Sequence, residues 1–132
     1  MRASLYTYCN GGSAVEEVRP EQLLDAVVGA IELLAASGDE QIAWLQSKKV
    51  PMSELTAQFG DVYPIFRSRL SENFLIDDID IQRLNGLESA IYDLEHSSED
   101  GLFDDLRLLP ESPRWEVVRS SAREALATLR RH

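Results

Sequence analysis

The stretch PEQLLDAVVGAIELLAAS, residues 20–37, decides the fold class of this chain. On a helix, its acidic side chains Glu21, Asp25 and Glu32 fall on one narrow stripe. Apolar residues take most of the remaining circumference: Leu23, Leu24, Val27, Val28, Ile31, Leu34 and Ala35. A helix this apolar must be covered by several other elements. The stretch therefore predicts a central helix that is the most buried helix of the fold.

Shorter helical patterns follow the central one. A second helix should be capped by Asp39, or by Ser37 with Glu40 returning the bond, and should end near Lys48 and Lys49. Ser53 is expected to cap a short third helix that Gly60 breaks. Asp61 would then cap a fourth helix, with its proline in the first turn.

Two longer amphipathic helices are predicted in the second half of the chain. The first opens at Asp77, Asp78 or Asp80 and runs to about His96, and the second begins around Pro113. A short helical turn should lie between them. The prediction is an all-α fold in which residues 1–132 form one compact bundle of about six helices. Residues 1–19 form an extended N-terminal arm that either lies on the helices or pairs with another chain.

Composition sets the broad class of the protein. The 132 residues are 44% hydrophobic and 27% charged, which is enough apolar material for the core of one domain. The longest uncharged run of the central helix is far shorter than the roughly 20 residues that a bilayer needs. Cys9 is the only cysteine, and the N-terminus lacks the apolar core of a signal peptide. We therefore expect a cytoplasmic protein without membrane association.

The net charge of −10 is concentrated in one part of the sequence. Residues 72–105 hold eleven acids and a single base, Arg83, whereas the remaining twelve acids are balanced by twelve bases. Such a field repels nucleic acid and anionic membranes and attracts cationic partners. The alternative is a solvated acidic face that only aids solubility.

The side chains that most often carry catalysis or bind metals are scarce. The chain has two histidines and one cysteine, which is too few for a structural zinc site. A calcium loop starting at Asp78 fails, because Arg83 stands where glycine is needed and Ser89 where a bidentate glutamate is needed. We therefore predict no catalytic residue, no metal site and no cofactor.

The preferred functional hypothesis is a non-enzymatic module that binds a basic partner protein. Acidic, single-domain helical proteins without catalytic groups resemble in type the small immunity and antitoxin proteins that neutralise a basic toxin domain, although no motif carries this likeness. A tyrosine flanked by acids on one helix is suited to anchor such a partner. The candidate partner-binding residues are Asp77, Asp78, Asp80, Glu88, Tyr92, Glu95, Asp100, Asp104 and Asp105.

The alternative hypothesis is a helix-turn-helix regulator that binds DNA through residues 53–70. This stretch resembles the motif because a first helix would end at Gly60 and a second would place Phe66 and Leu70 inward. A specific binder needs several phosphate contacts, so the net charge ranks nucleic acid as an unlikely partner. The candidate DNA-binding residues are Lys48, Lys49, Arg67, Ser68 and Arg69.

Overall fold

The computed structural model describes residues 20–69 and 76–129, and within these ranges the chain forms six helices and no strand. The helices are α1 (Pro20–Ala35), α2 (Gly38–Lys48), α3 (Ser53–Ser68), α4 (Asp78–Glu95), α5 (Leu108–Glu111) and α6 (Pro113–Leu129). The all-α prediction is confirmed. The predicted N-terminal arm, residues 1–19, lies outside the described residues.

The four long helices form a ring around one apolar core. Helix α1 packs against α3 on one side and against α6 on the other, and α6 in turn packs against α4. Helices α3 and α4 close the ring through side-chain bridges. The short helices α2 and α5 pack against each other, and α5 also contacts α6.

Helix α1 is central, as its sequence predicts, but it is not the most buried helix. Its apolar positions Val27, Ile31 and Leu34 are fully enclosed, and its stripe of acids faces solvent. Helix α6, however, has seven buried residues against five in the described part of α1. The small side chains of Ala122 and Ala125 lie in this buried face, so α6 shares the centre of the fold with α1.

Two helix starts, those of α2 and α4, follow the predicted local signals. Ser37 and Glu40 form a reciprocal capping box at α2, and the helix closes at Lys49 in the left-handed conformation, with φ of 57°. Asp77 opens α4 through a second capping box in which Asp80 returns the bond. Each box satisfies two backbone groups that a helix start leaves without partners.

The predicted break at Gly60 is wrong, because α3 runs without interruption through Gly60 and Pro64. The predicted cap is also wrong, because Ser53 is the first residue of α3 and no side chain caps this helix. Mid-helix glycine costs only about 1 kcal/mol relative to alanine, and the buried face of α3 offsets that cost. Pro64 denies the carbonyl of Gly60 its i+4 amide donor, but both residues are exposed. The missing bond therefore lies on the solvent side of the helix.

Candidate partner-binding groove

Side-chain bridges hold α3 beside α4. At one end, the hydroxyl of Thr56 lies 3.2 Å from Glu95 Oε2 and 3.2 Å from the Ser53 carbonyl oxygen, and these two acceptors share its single proton. Near the other end, Arg67 Nη1 donates to Glu88 Oε1 at 2.7 Å. Since the start of α3 meets the end of α4, the two helices run antiparallel. A groove lies between the two bridges.

This groove has a volume of about 340 Å³ and combines an apolar floor with an acidic rim. Phe59 and Ile91 are buried and form the floor. The α3 wall contains small residues, whereas the α4 wall contains an exposed tyrosine. The full lining is Thr56, Ala57, Phe59, Gly60, Asp61, Glu88, Ile91, Tyr92 and Glu95. Three of these nine residues are acids and none is a base, so the groove favours a cationic occupant.

Tyr92 is the most exposed large apolar side chain among the described residues, at 59% of its full accessibility. Its ring stacks on the ring of His96, with centroids 3.9 Å apart and planes 21° apart. The His96 ring is fixed in turn, because its Nδ1 lies 2.9 Å from the carbonyl oxygen of Tyr92 and donates to it. The stack holds the tyrosine in one orientation beside the groove and so reduces the entropy that an anchor loses on binding.

The predicted stripe of Glu88, Tyr92 and Glu95 thus lines one wall of a single groove. Glu88 is only half-exposed and is already paired with Arg67. This pairing raises the pKa of the Arg67 guanidinium, whose Cζ also lies 5.2 Å from the centre of the Tyr63 ring. Burial raises the pKa of Tyr63, whose hydroxyl donates to Asn85 at 2.7 Å. Arg67 is therefore held by partners within the fold.

Two of the candidate acids belong to the capping box of α4. Asp80 is fully buried, so it does not contribute to an accessible surface, and Asp77 accepts a bond from the Asp80 amide. Asp78 is exposed at the start of the same helix. In the sequence, a capping box and an acidic surface look alike at these positions. The burial of Asp80 shows that this aspartate serves the capping box.

The remaining candidate acids lie in the loop between α4 and α5. Asp100 and Asp104 are exposed, and Asp105 accepts bonds from the backbone and side chain of Arg107. The side-chain bond to Arg107 is the main reason that the pKa of Asp105 is lowered. The loop is anchored to the core by the buried Trp115, whose indole nitrogen donates to the carbonyl of Leu102 at 2.8 Å.

The candidate DNA-binding residues are not brought together. Lys48 and Lys49 lie at the end of α2, just before α3 begins, whereas the other three lie at or just past the far end of α3. At about 1.5 Å per residue, the length of α3 separates the two groups by about 22 Å. The corner at Gly60 does not form, and Ser68 donates its hydroxyl to the Ile65 carbonyl. The helix-turn-helix geometry is absent from this part of the chain.

The α3 wall of the groove was missed by the sequence analysis. Its members Thr56, Ala57, Gly60 and Asp61 pair at i, i+4 spacing, which places them on one face only if α3 is continuous. The expected break at Gly60 hid this face. Recognising one uninterrupted helix over residues 53–68 would have revealed it.

Within residues 20–69 and 76–129, no group of three or more His, Cys, Asp or Glu side chains could hold a metal ion. None of the helices in these ranges has the length and apolarity needed to cross a bilayer. Comparison with protein-family models, curated proteins and solved structures found no match to this chain.

Proposed function

We propose that this chain is a non-enzymatic binding module whose partner is a basic protein. The observation that supports the proposal is the distribution of acids on the described surface. Residues 76–105 contain ten acids, of which only Asp80 is buried, and one base, Arg83. Proteins of the immunity and antitoxin type, acting in the cytoplasm on a basic toxin domain, have this character. The lone cysteine fits that compartment.

The acidic surface would act mainly on the rate of encounter. Charges of one sign on a partner-facing surface steer a cationic protein toward it and raise the association rate. Some of the acids are neutralised locally, since Glu99 pairs with Arg114 and Asp105 pairs with Arg107. The net field nevertheless stays negative, because these pairs involve a minority of the acids. Exposed Tyr92 supplies an apolar anchor within the same region.

The test is affinity capture from the source cells, followed by kinetics on the captured protein at rising salt. The association rate should fall steeply as the Debye length shortens from about 10 Å at 0.1 M to about 3 Å at 1 M. A triple variant, Asp93→Asn, Asp100→Asn and Asp104→Asn, should slow association with little change in dissociation.

The matched control removes the same amount of charge from another face. Glu21→Gln, Asp25→Asn and Glu32→Gln change the exposed stripe of α1 and leave the acidic segment intact. This variant should associate faster than the first one. A captured partner that is acidic, or rates that respond equally to both triple variants, would reduce the acidic segment to a solubility feature.

A further inference from the structure

We infer that the groove between α3 and α4 receives an arginine side chain of the basic partner. This inference rests on the proposed function, because it assigns the site at which the cationic partner is held. The groove volume of about 340 Å³ lies at the lower end of the 300–1,000 Å³ typical of ligand pockets. It suits one long side chain rather than a whole helix.

The charges around the groove are complementary to a guanidinium. Asp61, Glu88 and Glu95 surround an apolar floor, and the lining contains no base. Arg67 lies close by but is bound to Glu88 at 2.7 Å. Glu95 is exposed and receives one hydrogen bond from Thr56. Since a carboxylate can accept several hydrogen bonds, Glu95 retains acceptor capacity for a guanidinium.

Gly60 provides space for the occupant. A Cβ built at Gly60 would meet no atom within 4 Å, so the groove is open at this position. Glycine is a poor helix former, so the chain forgoes some helix stability at a position that lines the groove.

Tyr92 makes arginine a better occupant than lysine. The ring of Tyr92 is exposed and fixed by its stack with His96. A planar guanidinium can stack on an aromatic ring while its edge donates several hydrogen bonds. A lysine ammonium has no flat face and is more strongly hydrated. The combination of an exposed tyrosine ring and a neighbouring carboxylate therefore selects for arginine.

Peptides are selected from a random phage-displayed library against the intact chain. The selected peptides are then synthesised, and their affinity for the chain is measured by calorimetry. The selected peptides should be basic and should each need one arginine. Replacing that arginine with lysine should weaken binding by about tenfold, equivalent to about 1.4 kcal/mol.

Two glycine variants locate the binding site. Gly60→Gln places a polar side chain with good helix propensity in the groove. It should weaken binding by at least about tenfold. Gly29→Gln is the matched control, because Gly29 is also a mid-helix glycine with no atom within 4 Å of a built Cβ, but lies on the exposed stripe of α1. It should leave the affinity unchanged. Both variants should fold, since a Cβ at either position meets no atom within 4 Å.

A double-mutant cycle then tests the contact itself. Glu95→Gln keeps an oxygen that can accept from Thr56 but removes the charge. Its effect should disappear when the essential arginine of the peptide is already glutamine, because the cycle isolates the coupling between the two groups.

The outcomes separate this inference from the proposed function. Basic peptides that lose affinity with Gly60→Gln and couple to Glu95 support both. Basic peptides that bind equally to the Gly60 and Gly29 variants would agree with the proposed function but would contradict the assignment of the groove as the arginine site. Selection of acidic or neutral peptides, or of none, would overturn both.

Discussion

Arg119 Nη1 donates to Gln41 Oε1 at 3.2 Å in the interior of the bundle, joining two residues that are 78 positions apart. Arg119 is 2% exposed and Gln41 is fully buried. The same Nη1 donates to the carbonyl of Leu109 at 2.7 Å, and the Gln41 amide donates to the carbonyls of Leu33 and Leu34. The Gln41 side chain on α2 therefore supplies the hydrogen-bond donor for carbonyls at the end of α1. The Arg119 side chain on α6 does the same for a carbonyl of α5.

We expect Arg119→Met to lower the free energy of unfolding by about 2–4 kcal/mol. The substitution keeps the packing volume but leaves the oxygens of Gln41 and Leu109 without this donor, each at about 1–3 kcal/mol. Urea denaturation measures the change. Arg123→Met is the control. Both arginines pair with Glu116, Arg119 at 2.8 Å and Arg123 at 3.2 Å, but Arg123 is half-exposed. Its effect should therefore stay below about 1 kcal/mol. Equal effects would contradict a special role for the buried network.

Trp115→Phe should destabilise the loop that carries Asp100 and Asp104. The phenylalanine preserves an aromatic ring but leaves the buried carbonyl of Leu102 without its donor, at about 1–3 kcal/mol. Amide hydrogen exchange should accelerate in residues 97–107 more than in α1. Trp44→Phe, at a half-buried position on α2, serves as the comparison and should leave exchange in that loop unchanged.

Alanine substitutions at two of the glycines should change the stability of the protein in opposite directions. Gly29→Ala should stabilise the protein by up to about 1 kcal/mol, because the added methyl meets no atom and alanine is the better helix former. Gly38→Ala should destabilise it by about 1–3 kcal/mol, because a Cβ there would lie 2.6 Å from the Cα of Pro110. Thermal midpoints of the two variants would test this difference. A gain in stability for Gly38→Ala would contradict the close approach of α2 and α5.

Low pH should weaken the capping box at the start of α2, because it protonates the carboxylate of Glu40. The bond from the Ser37 backbone amide lowers the pKa of this carboxyl below its usual value of 4.5. Because the folded pKa is the lower one, the stabilisation is present above the unfolded pKa and is lost as pH falls through the folded pKa. Glu40→Gln keeps the capping geometry without the titration. Its stability should therefore fall less steeply than that of the parent below about pH 5, and parallel acid limbs would contradict this role.

Local signals were readable from the sequence, whereas long-range relationships were not. The capping boxes depend on residues three apart, such as Ser37 and Glu40, so their pattern is visible in any short window. The break predicted at Gly60 failed because a modest local preference was outweighed by the packing of α3 against α1. Arg119 stands on an apolar face, but nothing in its neighbourhood in the sequence points to Gln41. The groove depends on both α3 and α4 and required the fold.

The packing of α1 against α6 has a consequence for synthesis on the ribosome. The apolar face of α1 that meets α6 emerges first, and its cover begins at Pro113, 78 residues after the end of α1. At about 5–20 residues per second, that surface stays uncovered for roughly 4–16 s while the intervening helices are made. The core is completed only when α6 has left the ribosome. Until then the nascent chain exposes an apolar segment of the kind that chaperones bind.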